Sequence, residues 1–461
     1  MPSRYIGERS FYRRVFATAL PIIAQNALTN FVSLLDNLMV GQLSTAQISG
    51  VTIVNNNLLF IFMLCMFGGA AGAGIFTTQF FGSQDHDGIR HTFRIKLLVC
   101  LVLLLGGGAL FLTCGDDLIG LYLRGEGDPE LARQTLFYGR QYLSIMLIGL
   151  LPFALTNAYA GTLRECGQPM VPMVAGLVAT LVNLGLNFVL IFGMFGLPAL
   201  GSAGAAIATV VARYVELAIV ALWTHTHTRQ LPFVKGLYRS FHIPGRLFRK
   251  VMLRGMPLLV NECLWSVGMA FLNQCYSHCG LDVVPALSIS ITIYDLACVV
   301  FRSLGNTVGI ITGQMLGAST PEGEIRDANR RMSVLCVVSG ALFGVAMGGL
   351  SFVFPGLYNT TDSVRHLASW LILISAAYMP LQAYIFPVYF TLRAGGKTVA
   401  TFLFDCGAVW ALSIPLAFCL SRFTVMHILV IYAICNGVDI LKCVIGWYMI
   451  RKGDWIQNLA K

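Results

Sequence analysis

Charged residues are scarce in this chain of 461 residues. Asp, Glu, Lys and Arg make up 11% of it, whereas a soluble domain usually carries roughly 25%. A His-Glu metal motif, a nucleophile elbow and a phosphate-binding loop are also lacking. The 13 cysteines are scattered through apolar segments without paired spacing, which excludes a disulfide or zinc framework. These absences exclude a soluble enzyme, and we predict neither enzymatic activity nor a cofactor.

What the chain has instead is apolar surface. Hydrophobic residues make up 56% of it, and the mean hydropathy is +0.73. About twelve apolar stretches approach the roughly 20 residues that a helix needs to cross a bilayer. The 47 glycines suit close helix packing in lipid. We therefore predict an all-α polytopic membrane protein with about twelve transmembrane helices.

The chain contains one pattern twice. The interval from Pro to Gln is 58 residues in the first copy and 57 in the second, and the interval from Gln to Thr is 83 and 77. Such duplication in an apolar chain is typical of secondary transporters, whose site lies between the repeats. The paired elements are Pro21 and Pro257, Gln79 and Gln314, Gly82 and Gly317, and the Thr-Leu-Arg segments 162–164 and 391–393, followed by Gly167 and Gly396.

The longest polar break, from His225 to Lys250, divides the repeats. We predict a six-helix lobe at 1–224, a cytoplasmic linker at 225–249 and a second lobe at 250–461. An even number of crossings in each half makes the two lobes parallel. Most of the 31 Lys and Arg fall on one side if both termini are cytoplasmic. The net charge of +10 thus indicates topology in a cell membrane and not nucleic-acid binding.

The first helix carries polar residues on one face. Gln25, Thr29, Ser33 and Asp36 recur at spacings of four, four and three. An acid inside the membrane is costly, and it commonly marks an ion or substrate pathway. Asp36 can take up a proton or contribute an oxygen to Na⁺. The alternative is an interfacial Asp bonded to a neighbouring helix end.

The fifth predicted transmembrane helix adds Asn183 and Asn187, which lie one turn apart. Their amides supply acceptors for a cation and donors for a carboxylate, so they suit a site shared with Asp36. Polar residues also join transmembrane helices through hydrogen bonds. The sequence leaves both readings open.

In the second half, Glu262 follows Pro257 and precedes Trp265 by one turn. A carboxylate beside an aromatic ring can receive an organic cation through charge and cation–π attraction. The alternative is a Glu that pairs with basic residues at the cytoplasmic helix end.

Further intramembrane charges lie in the second half and at the end of the first. Asp295 follows Tyr294, and Arg302 lies two turns on, so the Asp and the Arg can neutralise each other. Spacing of i,i+3 predicts two internal ion pairs. They are Arg213 with Glu216 and Asp439 with Lys442, while Asp405 has no evident partner.

Several segments together resemble the multidrug and toxic compound extrusion (MATE) transporters. They are 20–22 (LPI), 35–41 (LDNLMVG), 201–209 (GSAGAAIAT), the Gln and Gly pairs, and the doubled Thr-Leu-Arg segment. The resemblance implies two lobes around a V-shaped cavity and export of cationic amphipathic compounds in exchange for H⁺ or Na⁺ by alternating access. A flippase for a lipid-linked saccharide or other amphiphile is the alternative.

The resemblance also implies roles for single residues. Asp36 becomes the coupling acid and Asn183 its neighbour. Many prokaryotic relatives carry Asp at the position of Asn187, so this chain has one titratable group fewer. The expected partners are small cationic substrates and membrane lipids, and we expect a monomer. The predicted substrate-binding residues are Gln25, Glu262, Trp265, Tyr294 and Asp295.

Overall fold

A computed structural model describes residues 7–123, 128–196, 198–358 and 360–460. In these ranges it contains 12 helical spans long and apolar enough to cross a membrane, which confirms the predicted number and the all-α class. The first seven helices are α1 (Arg9–Val40), α2 (Thr45–Thr52), α3 (Phe60–Gly82), α4 (His86–Tyr122), α5 (Pro129–Glu165), α6 (Met170–Phe192) and α7 (Ser202–Thr226). The remainder are α8 (Gly245–Ser277), α9 (Val283–Gly317), α10 (Glu322–Leu350), α11 (Asp362–Ala394), α12 (Thr398–Phe402), α13 (Ile414–Phe423) and α14 (Ile428–Lys452).

Two of the spans are composite. Helix α2 continues through a π-helical segment, Ile53–Leu59, into α3. Helix α12 continues through two π-helical segments, Leu403–Gly407 and Val409–Ser413, into α13. Such wide turns inside helices occur frequently at functional sites.

The helices form two compact units. Unit 1 comprises the chain up to Ile23, Thr78–Gln84 and Met256–Lys461, and unit 2 comprises Ala24–Thr77 and Asp85–Gly255. The start of α1 therefore belongs to unit 1, while the start of α8 belongs to unit 2. Both helices change units within three residues of an internal proline, Pro21 or Pro257. The units thus differ from the lobes at 1–224 and 250–461 in these segments, and the lobe limits themselves stay a prediction.

The two Thr-Leu-Arg segments form the same turn. In the first copy, the amides of residues 166, 167 and 168 donate to the carbonyls of 162, 164 and 163, at 2.9, 3.2 and 2.8 Å. In the second, the amides of 395, 396 and 397 donate to those of 391, 393 and 392, at 3.1, 2.9 and 3.0 Å. Gly167 and Gly396 have φ angles of 75° and 74°, a left-handed conformation that favours glycine at a helix C-terminus. The repeat therefore builds matching ends on α5 and α11.

In unit 1, the ends of α3 and α9 approach each other through glycines. A Cβ on Gly82 would lie 2.0 Å from the carbonyl oxygen of Gln314, and one on Gly317 would lie 1.9 Å from that of Gln79. The contact is reciprocal, since each glycine faces the glutamine of the other copy. The paired Gln and Gly residues are thus explained by packing, because any larger residue would displace a backbone.

The C-terminal segment closes over the same end of unit 1. The Gln79 side chain is fully buried, and its Nε2 donates to the carbonyls of Ala394 and Gln457 at 2.9 and 3.2 Å. Its Oε1 accepts from the amide of Leu459 at 2.6 Å. Trp455 is buried as well and donates through Nε1 to the Ile450 carbonyl at 3.0 Å. This segment therefore holds the end of α3 on unit 1.

The segment between α7 and α8 packs on unit 2. Arg94 donates to the carbonyls of Leu237, His242 and Gly236 at 3.0, 3.0 and 3.2 Å, and Arg90 donates to that of Phe233 at 3.1 Å. Carbonyls in a largely irregular segment have few backbone donors, and the two arginines supply additional ones. The basic residues of α4 therefore anchor this segment.

Candidate functional site

Asp36 and the α6 amides meet in unit 2. Nδ2 of Asn187 donates to Oδ1 of Asp36 at 2.6 Å and lies 3.2 Å from Oδ1 of Asn183. With the Asn183 amide turned so that its nitrogen faces Asp36, that nitrogen lies 3.0 Å from the same carboxylate oxygen, and its oxygen accepts from the amide and Oγ1 of Thr209, both at 3.3 Å. Asp36 and these two amides therefore lie together, and their role in ion coupling stays a prediction.

The site is built by two helix faces. Asn183 and Asn187 are one turn apart on α6, so both point toward α1. Both are buried, with 5% and 1% exposure, while Asp36 is half-buried. The Oδ1 atom of Asn187 is buried and has no hydrogen-bond partner in the described part of the chain. A buried acceptor without a donor is costly, so the site has capacity to bind a further donor or a cation.

The rest of the α1 face is divided. Gln25 accepts from Nη1 of Arg164 at 3.3 Å and lies against Gly176 of α6. Thr29 and Ser33, between Gln25 and Asp36, are exposed, and Thr29 donates to the carbonyl of Gln25 at 2.9 Å. Gln25 and Asp36, at the two ends of this face, thus contact α5 and α6.

A second polar cluster lies in unit 1. Its residues come from α8, α11, α14 and the π-helical segment Leu403–Gly407. Oε1 of Glu262 accepts from the hydroxyl of Tyr389 at 3.3 Å. Next to it, Asn261 donates through Nδ2 to Oδ2 of Asp405 at 3.1 Å. Nζ of Lys442 lies 3.4 Å from Oδ1 of the same carboxylate. The cluster therefore combines two acids, an amide and a cation.

The two ion pairs predicted from spacing within one helix do not form. Lys442 pairs with Asp405, while Asp439 accepts a hydrogen bond from Gln382. Asp405 therefore has partners, which spacing within one helix could not identify because they lie on α8 and α14.

Arg213 does not form the ion pair predicted with Glu216. Its guanidinium lies 3.4 Å from the carbonyl of Gly149, 3.6 Å from the Met63 sulfur and 5.0 Å from the centre of the Phe153 ring. In the described ranges, no carboxylate lies within ion-pair distance of it. Packing directs the long side chain toward α3 and α5, away from its own helix.

The four predicted substrate residues of unit 1 do not bond to one another. Asp295 pairs with Arg302 at 3.4 Å, as its position two turns away allowed, and both side chains are more than a third exposed. Tyr294 packs against the apolar core of unit 1, and Trp265 is half-buried. Among the described residues of unit 1, no hydrogen bond or ion pair joins any two of Glu262, Trp265, Tyr294 and Asp295. Their role in binding substrate stays a prediction.

Sequence reasoning missed four partners. Thr209 bonds to Asn183, and Gln382 bonds to Asp439. Asn261 and Lys442 both bond to Asp405. A lysine within an apolar stretch was a signal in itself, since such a residue requires a nearby acid or a route to water.

Twelve apolar spans, a duplicated chain and buried carboxylate–amide contacts define a polytopic membrane transporter. The sequence model of the MatE family matches residues 21–189 and 257–419 of the chain. The two matches begin at Pro21 and Pro257, the first paired residues of the repeat. Together they cover well over half of the sequence. The chain therefore belongs to the MatE family of multidrug efflux transporters, as the resemblance implied, and it is a transporter and not an enzyme.

Named relatives agree with this assignment. The probable multidrug resistance protein YoeA of Bacillus subtilis is 24% identical over 91% of this chain and 89% of its own length. The probable multidrug resistance protein NorM of Thermotoga maritima is 22% identical over 89% of this chain and 86% of its own length. A solved structure described as MATE in the straight conformation superposes with a TM-score of 0.85 at 15% identity, covering 95% of both chains. At that identity, the structural likeness concerns the fold alone.

Proposed function

We propose that the protein exports cationic amphipathic compounds in exchange for H⁺ or Na⁺, with Asp36 as the coupling acid. The observation that supports this is the bonding of the Asp36 carboxylate to Asn187, with Asn183 as the second amide. The proposal includes a cell-membrane location, cytoplasmic termini and a monomeric transporter. Alternating access provides the exchange.

Exchange requires unequal binding to two states. A proton or Na⁺ on Asp36 favours one state of the transporter, and the drug favours the other, because a ligand shifts an equilibrium only by its difference in affinity. A single inward charge contributes about 2.3 kcal/mol per 100 mV of membrane potential. That energy supports accumulation of drug against its gradient.

Liposomes with purified protein test the coupling. A proton gradient and a Na⁺ gradient are imposed separately, and transport of a cationic dye is followed for wild type and Asp36→Asn. We expect Asp36→Asn to lose at least about tenfold in gradient-driven transport, the range of a lost ionic contact. The control is Asp362→Asn, an acid whose side chain is 97% exposed at the start of α11. Unchanged transport by Asp36→Asn would refute the coupling role.

We also propose that the predicted substrate-binding residues contact the cationic compound. Glu262 is half-buried and bonded to Tyr389, so it offers charge and an aromatic surface to a cation. We expect Glu262→Gln to raise the KM for a cationic dye and to leave that for a neutral dye unchanged. The same comparison tests the other proposed substrate-binding residues, in the variants Trp265→Leu, Tyr294→Phe, Asp295→Asn and Gln25→Leu. Equal effects on both dyes would show a structural role only.

Arg213 favours a second candidate function, a flippase for an amphiphile with an anionic group. Its guanidinium lies beside a carbonyl, a thioether and a ring, and a guanidinium readily binds phosphate or carboxylate groups. Translocation of a fluorescent anionic lipid-linked sugar in liposomes, measured without an ion gradient, distinguishes the two functions. Loss of that activity in Arg213→Gln would support the flippase, and its absence in wild type would reject it.

A further inference from the structure

Unit 1 contains a buried Asp–Lys pair that the coupling through Asp36 does not use. Nζ of Lys442 on α14 lies 3.4 Å from Oδ1 of Asp405, and the two side chains are 11% and 20% exposed. Nζ also lies 5.5 Å from the centre of the Phe404 ring. Asp405 occupies the π-helical segment Leu403–Gly407. Both charges are therefore held inside the unit and compensated by one partner each.

Asn261 completes the site with an unused acceptor. Its Nδ2 donates to Oδ2 of Asp405 at 3.1 Å, and the residue is 1% exposed. Its Oδ1 is buried and has no hydrogen-bond partner among the described residues. An amide donates to an ionised carboxylate through nitrogen, and after rotation it accepts from a protonated one through oxygen. Asn261 can therefore serve both protonation states of Asp405.

The same arrangement occurs in unit 2. Asn187 donates to Asp36, and its Oδ1 is likewise buried without a partner in the described part of the chain. The residues are unrelated by the repeat, since Asp36 corresponds to Leu272 at the offset of 236 residues between Pro21 and Pro257. Two units thus present the same amide–carboxylate chemistry at unrelated positions.

Lys442 has an alternative acceptor within reach of its helix. Asp439 precedes it by three residues on α14 and accepts a hydrogen bond from Gln382 of α11. The two residues also interact electrostatically. A neutral Asp405 would leave the buried Lys442 ammonium without the carboxylate that it pairs with directly, which is costly. Rotation of the ammonium toward Asp439 restores its compensation.

We propose that Asp405 is a second proton-binding site of the transporter, with Asn261 and Lys442 as its positioning residues. A proton binds to the carboxylate, the Asp405–Lys442 ion pair breaks, and Lys442 donates to Asp439. The charge of the cluster rises by one. The other charged and titratable side chains around the site are Glu262 on α8, Tyr389 and Arg393 on α11, and Cys406 beside Asp405. Near Asp439 they are Tyr432 and Cys443 on α14 and Tyr294 on α9. This inference rests on the proposed ion-coupled function, to which it adds a second proton.

Proton counting on the purified protein tests the site without transport. The unbuffered protein in detergent is titrated from pH 9 to pH 4 for wild type, Asp405→Asn, Asp36→Asn and the double variant, and infrared spectroscopy records the carbonyl stretch of protonated carboxyl groups. We expect each single variant to lose about one bound proton and its own band, and the double variant to lose about two, because one carboxyl binds one proton. If Asp405→Asn takes up as many protons as wild type, the proposal is overturned.

A second set of variants separates titration from folding. Lys442→Met removes the cation that favours the ionised form, so the Asp405 band should form at a pH at least about one unit higher. Asn329→Leu, a buried amide on α10 that bonds to Thr391, is the control and should leave the midpoint unchanged. An unmoved midpoint in Lys442→Met overturns the proposal. Failure of Asp36→Asn to affect transport would instead reject the proposed coupling and leave the Asp405 titration intact, which distinguishes the two.

Discussion

The two units use equivalent helices for different chemistry. Gln25 on α1 lies against Gly176 on α6 in unit 2, with 3.4 Å from its Nε2 to the position of an added Cβ. The repeat offsets, 236 residues at the prolines and 229 at the Thr-Leu-Arg turns, place Asn261 and Asp405 at the corresponding positions of unit 1. There the contact is a hydrogen bond between amide and carboxylate. The corresponding helix–helix contact thus includes a carboxylate in unit 1 and a glycine in unit 2.

The acids also differ in their position along the helix. Asp36 corresponds to Leu272, and Glu262 corresponds to Asn26. Ten residues separate Asn26 from Asp36, which is about 15 Å along a helix at 1.5 Å per residue. The carboxylates of α1 and α8 therefore lie about three turns apart on equivalent helices. The two copies therefore share turns and helix contacts, and they differ in where their acids lie.

The largest expected effect is the loss of stability when a buried lysine is replaced, and it should differ between the two units. Lys96 of unit 2 is 1% exposed and bonds to Glu165 and to Thr162. Replacing it by Met removes the ammonium from a buried carboxylate, and we expect a loss of about 3 kcal/mol in unfolding free energy. Lys442→Met should cost roughly 1 to 2 kcal/mol, because the Lys442 side chain is 11% exposed and that of Lys96 only 1%. Thermal unfolding in detergent measures both, and equal losses would contradict the ranking.

The reciprocal glycine contact in unit 1 gives the next prediction. Gly317→Ala places a Cβ 1.9 Å from a backbone carbonyl, and Gly82→Ala places one at 2.0 Å. We expect each variant to lose about 2 to 3 kcal/mol, since a backbone cannot move aside as a side chain can. Gly106→Ala on α4, with no atom within 4 Å of the added Cβ, is the matched control. Native thermal stability of either contact variant would exclude the reciprocal packing.

Adding a carboxylate to each polar site tests whether the two sites differ in their affinity for Na⁺. Asn187→Asp puts a second acid beside Asp36, where no lysine compensates it in the described part of unit 2. An added unit charge about 4 Å from a bound Na⁺ contributes about 1 kcal/mol even in water, so Na⁺ should bind several-fold more tightly and stimulate efflux. Asn261→Asp in unit 1 should raise the affinity for Na⁺ by less, because the Lys442 ammonium already compensates the negative charge there. Calorimetric titration with Na⁺ measures both, and an equal response would remove the distinction.

The smallest effects concern the shared turns. Gly167→Ala and Gly396→Ala force a side chain into φ angles of 75° and 74°, which costs about 1 kcal/mol for most residues. The two losses should be equal within a few tenths of a kcal/mol, since the hydrogen bonds of the turns match. Thermal unfolding of both variants checks this. A clearly larger loss in one would show that the copies differ in surroundings.

Local patterns predicted the helices and turns well. Apolar length indicated the 12 spans found in the described ranges, and the Thr-Leu-Arg segments indicated a repeated turn, because turn geometry depends on residues close in the chain. The amides of α6 were linked to Asp36 from residue type and helix face. Partners on distant helices were missed, as with Lys442, whose neighbour Asp439 shares its face but not its ion pair.

The sequence by itself determined the class of protein, the number of spans and the duplication, since each follows from composition, length and spacing. Only the tertiary structure decided which acid each cation and amide would meet. Spacing states which side chains share a face of one helix, whereas packing states which helix lies opposite. Asp405 lacks a partner along its own segment, and it gains Asn261 and Lys442 because α8 and α14 pack beside it.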